Sequence, residues 1–219
     1  MKFDKTGELQ ENLDLMTTIR FIFQPKMRLI APLIVFRGVS LSTQVGLFVN
    51  FWVSTINTDP VWSQETEDQK IERVVYTFVF LGIGSILGSS ILGVIQDKFG
   101  HKYSISFILF TICWTLIGLL IQNERHVFDW SANLTMFGAG MIDNCLTSFL
   151  GVVLGFEFDS KIIPFGAKNF VENITLFVVL SSFSLFGIEG KGSFRIYFIM
   201  LFFIGVTTTT MLYYVKYKK

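Results

Sequence analysis

Six stretches in which apolar residues run almost without interruption set the rhythm of this chain: 29–56, 74–96, 103–122, 132–156, 165–186 and 194–214. Each matches or exceeds the ~20 residues that a helix needs to cross the hydrocarbon core of a bilayer. The pattern therefore predicts an all-α, polytopic membrane protein with six transmembrane helices. The first stretch is longer than a simple crossing requires, which predicts a tilt, a bend at Pro32 or an extension past the bilayer. Before it, Leu13, Met16, Ile19 and Phe23 recur at helical spacing among Lys2, Lys5, Arg20 and Lys26, as in an amphipathic segment lying on a membrane surface. The chain thus divides into a polar N-terminal segment (1–27), a six-helix domain (28–214) and a basic tail (215–219). Of the links, 58–73 is polar and acidic and 187–193 is Gly-rich, while Pro164 is placed to open the fifth helix.

The polar residues inside these stretches fall on faces. At about 100° per residue Arg37, Ser40 and Gln44 share one narrow arc; Gly140, Asp143, Asn144, Thr147 and Gly151 lie on one half of the fourth helix; Lys168, Glu172, Thr175 and Ser182 lie on one face of the fifth. A charge among acyl chains costs several kcal/mol, so Arg37 and Asp143 are expected to face protein or trapped water. Arg37, Gln44, Asp143, Asn144 and Glu172 are the candidate residues of a central cavity. In the second helix Gly84-x-x-x-Gly88 lets another helix backbone approach closely, with packing inside the chain the expected use. The third helix, nearly free of strongly polar side chains, reads as a lipid-facing support.

Composition agrees with a membrane solvent. Hydrophobic residues make up 51% of the 219, mean hydropathy is +0.55, and only 16% are charged, against about 25% in soluble domains. If the N terminus faces inward, eleven Lys and Arg fall on inner segments and five on outer ones. That bias places both termini on the cytoplasmic or equivalent side. No cleavable leader is expected, because the first twelve residues are polar and the first apolar run is too long for one. Cys113 and Cys145 both lie inside spans and offer neither a disulfide framework nor metal-ligand spacing. His101 and His126 fall on opposite sides in this topology, and no nucleophile has a histidine to pair with, so neither an enzyme nor a metal or cofactor is expected. No basic patch points to nucleic acid. The sequons at Asn133 and Asn173 lie in or against spans, too deep for glycosylation.

The chemistry of the links concentrates in one of them, Gly93-Val94-Ile95-Gln96-Asp97-Lys98-Phe99-Gly100-His101-Lys102. Gly100 suits a helix-ending turn, and Lys98 and Lys102 suit the charged side of a membrane. Asp97 sits at the negative end of its own helix dipole, unfavourable by roughly 0.3–1 kcal/mol, so a partner elsewhere is expected. This run resembles the Gly-x-x-x-Asp-Arg/Lys-x-Gly box of the major facilitator superfamily, with His101 where a basic residue is usual. More narrowly, the Pro25 to Gly38 spacing, Gly138 to Asn144 and Ala167 to Asn173 are similar to the C-terminal half of uncoordinated-93-like proteins, with Asn169 where an Arg would be expected.

The resemblance implies a 3+3 arrangement of helices, half of a major facilitator fold. It also implies an inner gate governed by Gly93, Asp97, Lys98, Gly100 and Lys102. A second six-helix half, or other membrane subunits, would then complete the cavity. The function expected is transport of a small solute by alternating access. The alternative is a non-transporting membrane subunit, either an ion-channel regulator or a structural component of a larger complex.

Overall fold

The computed structural model describes residues 15–125, 127–160, 162–188 and 190–217; Lys2, Lys5, Leu13, His126 and Lys161, with the last two lysines of the tail, lie outside them. Among the described residues the chain is helical, without strands. The helices are α1 (Leu15–Ile22), α2 (Pro25–Gly46), α3 (Phe48–Thr58), α4 (Glu67–Phe99), α5 (His101–Arg125), α6 (Trp130–Phe156), α7 (Ile163–Phe186) and α8 (Gly190–Met211), closed by a 3-10 turn at Leu212–Tyr214. Six of them, α2 and α4 to α8, are long and apolar enough to cross a bilayer, as the apolar pattern predicts.

The helix ends follow local chemistry. Thr66 and Gln69 form a capping box that starts α4, with Glu67 and Asp68 at the positive end of the helix dipole. The acidic run read as a link is therefore partly the first turns of α4, which spans 33 residues. Asp129 caps α6 by accepting from the Ser131 amide at 2.9 Å. Pro164 sits in the first turn of α7.

Helix α2 runs on through Pro32, and the first span carries an interruption at Leu47 that the apolar pattern does not mark. Pro32 lies inside the helix, where it removes one backbone hydrogen bond. Near Leu47, Ser42 and Thr43 both donate back to carbonyls four residues earlier, a pattern that bends helices. The third helix, α5, is also not simply a lipid-facing support. It packs against α8, α6 and α4, and one face buries Ser104, Thr111, Thr115, Gln122 and Asn123. These small hydroxyls and amides supply a packing face that hydropathy alone does not reveal.

Helix α4 packs most closely on α6, α2 on α7, and α5 on α8; α5 also meets α6, and α2 also meets α8 and α6. Helices α4, α6, α2 and α7 thus follow one another in contact, with α5 and α8 behind them. The α4–α6 approach depends on missing side chains. A Cβ at Gly84 would collide with the Phe137 carbonyl, and one at Gly88 would meet the Met141 backbone at 2.8 Å. An aromatic cluster fills one end of the bundle, with Phe51 edge-on to Phe194 at 5.2 Å and to Phe198 at 5.1 Å. At the other end α1 packs on α7 through a face other than the predicted stripe. Thr18 and Phe21 are buried there, while Met16 and Phe23 point outward.

Candidate functional site

Three of the predicted cavity residues converge. Arg37 on α2 is 8% exposed and reaches two neighbouring helices at once. Its Nε donates to Thr147 Oγ1 at 2.9 Å, its Nη2 lies 3.6 Å from Asp143 Oδ1 on α6, and its Nη1 pairs with Glu172 Oε1 on α7. Lys168, one turn before Glu172, closes the group with its Nζ 2.8 Å from Glu172 Oε2. Two cations and two carboxylates therefore neutralise one another between three helices. Burying any one of them alone would be prohibitive.

The distribution within the network is uneven. Glu172 pairs with both cations, whereas Asp143, half-buried, has Arg37 as its one ion-pair partner among the described residues. Arg37 stands 3.6 Å from it, beyond hydrogen-bond reach. Asp143 is the loosely held member. Helix α7 comes this close to α2 because of Gly38, where a Cβ would lie 2.9 Å from Thr175 Cβ and 3.1 Å from the Glu172 carbonyl oxygen. Gly38 and Gly46, eight residues apart on α2, form this contact strip, with Gly46 against Leu180 and Phe183 of α7. It repeats the logic of Gly84 and Gly88, and its spacing is readable in the chain once an α7 partner is known.

The other two cavity candidates separate from this cluster. Gln44 is buried, but its Nε2 donates to the Ala139 carbonyl at 3.2 Å, a helix-packing bond. Asn144 is half-buried and joins neither group.

The gate segment differs most from expectation. Gly93, Asp97 and Lys98 are helical positions of α4, the turn consists of Gly100 alone at φ 81°, and Lys102 is already in α5. Asp97, Lys98 and Lys102 are exposed, and Asp97 enters no ion pair among the described residues, so the partner expected for it is not found there. A different carboxylate organises this end of the bundle. Glu157, the C-cap of α6, is 4% exposed; it pairs with Lys26 at the start of α2 and has Oε1 3.9 Å from His101 Nε2. The His101 ring stacks on Tyr217 at 4.4 Å and receives Gln96 at 3.3 Å. Burial and the neighbouring Glu157 push the Tyr217 phenol well above its usual range. The residue that departs from the box is thus the one that makes its contact.

At the opposite end a second unforeseen carboxylate ties the links together. Asp59, 1% exposed, accepts from the Val61 and Trp62 amides through Oδ1 and from the Phe128 amide at 2.6 Å through Oδ2. Trp62 Nε1 donates to the Phe128 carbonyl at 3.0 Å. Arg73 lies 3.6 Å over the Trp62 ring and clamps Glu65 with two bonds of 2.6 Å. That hydrogen-bonded pair holds the Glu65 carboxyl below its ordinary range. Among the described residues no three metal-ligating side chains converge. Comparisons with protein-family models, curated proteins and solved structures find no match to this chain.

Proposed function

We propose that this membrane protein is one half of a major-facilitator-type transporter, built as three helices plus three and moving a small solute by alternating access. The observation that carries the reading is the Arg37, Asp143 and Glu172 group, an ionic cluster drawn from three spanning helices. Such intramembrane charges line solute and ion pathways.

The helix pairing supports the nested repeat. Exchanging the first three spans for the last three turns the α4–α6 contact into the α7–α2 contact and the α5–α6 contact into the α8–α2 contact, while α5–α8 maps onto itself; the smaller α4–α5 and α6–α7 contacts lack such counterparts. Burial supports a missing second half. In the apolar stretches of α4 and α7 only 17% of residues are buried, against 61% in α6, so the two ends of the helix row leave most of their surface for something else. In this reading both termini are cytoplasmic, and the Gly100 turn with the Glu157 group forms the inner gate.

The test is flux in reconstituted vesicles, with a pH-sensitive dye inside and a panel of small solutes outside. Asp143→Asn abolishes the flux that the unmodified chain supports; undiminished flux removes Asp143 from the pathway. A second reading, a non-transporting membrane subunit, is favoured by one feature. Glu172 already satisfies Arg37 and Lys168 together, as a group that only fixes packing would. Purification in mild detergent separates the two: a stable partner of different sequence supports the subunit, and assembly of two copies supports the transporter.

A further inference from the structure

Between the ends of α4 and α6 nearest Asp59 lies a recess of about 740 Å³, within the range of small-ligand sites. Its lining changes character along α4. Glu65, Gln69 and Glu72 stand at the helix start, whereas Val75, Tyr76 and Val79 follow and are exposed. From Glu72 to Val79 the helix rises about 10 Å, so one end of the recess is carboxylate-rich and the other faces the apolar layer. From α6 come Trp130, 70% exposed, and Asn133. Exposed Tyr and Trp at the end of a spanning helix sit at headgroup depth. An interfacial anchor accounts for Trp130 alone; it does not account for a recess of this size with carboxylates at its head.

The charge balance chooses the occupant. Arg73, the cation that lines the recess, is already committed to Glu65 and to the face of Trp62. Asp129 accepts from Ser131 and has Arg125 3.9 Å away. Glu72 is exposed and has no ion pair among the described residues. The recess is therefore lined by three carboxylates and one cation, with Glu72 exposed beside two open aromatic rings, which favours a cation that is diffuse and weakly hydrated.

We propose that this recess binds the quaternary ammonium headgroup of a phosphocholine lipid. The ammonium lies against Glu72, Tyr76 and Trp130, the Asn133 amide, one turn further along α6 than Trp130, faces the phosphate, and an acyl chain runs along Val79. Anionic headgroups are repelled by the carboxylates. A primary ammonium gains less from the aromatic faces because it gives up a tighter hydration shell. The inference rests on the chain being embedded in a membrane and is independent of transport.

The full chain is reconstituted in vesicles of equal parts phosphatidylcholine, phosphatidylethanolamine and phosphatidylglycerol and extracted in a maltoside detergent, and the co-purifying lipid is measured by mass spectrometry. Phosphatidylcholine is expected at roughly threefold or more over phosphatidylethanolamine, against equal amounts in the bulk, the size of effect that cation–π contacts supply. Glu72→Gln and Tyr76→Ala return it to its bulk share, while Gly82→Ala, on the exposed face of α4 outside the recess, leaves the enrichment intact. Glu72→Gln alters an exposed, unpaired group and tests the site even if Tyr76→Ala disturbs folding. Phosphatidylcholine at its bulk share, enrichment of phosphatidylglycerol, or enrichment that survives Glu72→Gln overturns the assignment. Excess choline chloride fails to strip the lipid if the tail contributes; complete displacement overturns the lipid assignment in favour of a free organic cation.

Discussion

At the residue scale, the decisive feature is how few of the buried charges are interchangeable. Arg37 serves Thr147, Asp143 and Glu172 together, so Arg37→Met leaves two carboxylates facing each other with only Lys168 to compensate. The loss of a buried partner costs about 3 kcal/mol or more, and a marked fall in the thermal midpoint in detergent is the expected result. The double replacement Arg37→Met with Glu172→Met recovers much of that loss, because apolar side chains carry no desolvation cost; a double variant as unstable as the single one argues that the group does more than balance charge.

Glu65 offers a pH test outside the membrane. Arg73 lowers its folded-state pKa below the unfolded value. The stabilising contribution is therefore complete above the unfolded glutamate range and is lost as pH falls through the lower folded value. Thermal midpoints followed from neutral pH down into the acid range should show a component that disappears in Glu65→Gln. This residue is displayed openly in the chain, yet its partner eight positions away is set by the turn between them, which only the fold specifies.

At the scale of elements, helix contacts are set by absent side chains as much as by present ones. Gly84→Val would drive its Cβ into the Phe137 carbonyl, separating α4 from α6 at a close approach of their backbones. A loss of about 1–3 kcal/mol is expected, as for overpacked cores. Gly82, two residues away, has nothing within 4 Å of the added carbon, so Gly82→Ala should leave stability unchanged or raise it by up to about 1 kcal/mol. Comparing the two by thermal denaturation tests the assigned face, and equal effects would show that it is wrong. The Gly84 and Gly88 spacing is legible before any coordinates, but which helix fills it is not. Similarly, Pro32 is the visible candidate for a bend, whereas nothing in the composition singles out the interruption at Leu47.

At the scale of the whole molecule, α4 and α7 stand at the two ends of the helix row with most of their apolar surface uncovered, while α6 is largely enclosed. If protein covers those faces in the membrane, cysteines placed at exposed positions such as Ile86 and Phe177 should cross-link to another chain or copy in native membranes, and labelling by a lipid-soluble maleimide should be slow. Rapid labelling of both with no cross-linked species would mean that lipid alone covers them.

Six long apolar runs of the right length leave a chain little choice but six helices in a bilayer, since a backbone in hydrocarbon must satisfy its own hydrogen bonds; that much, and the inward-facing burial of Arg37, could be read from the order of residues. Which carboxylate would take Arg37 could not, because Asp143 and Glu172 are comparably suited by type and only the closeness of α7 at Gly38 brings Glu172 nearer. The place of His101 beside Glu157, the clamp made by Asp59, and the recess between α4 and α6 belong to the same class. They join residues from distant parts of the chain, and their geometry comes into being only when the helices pack.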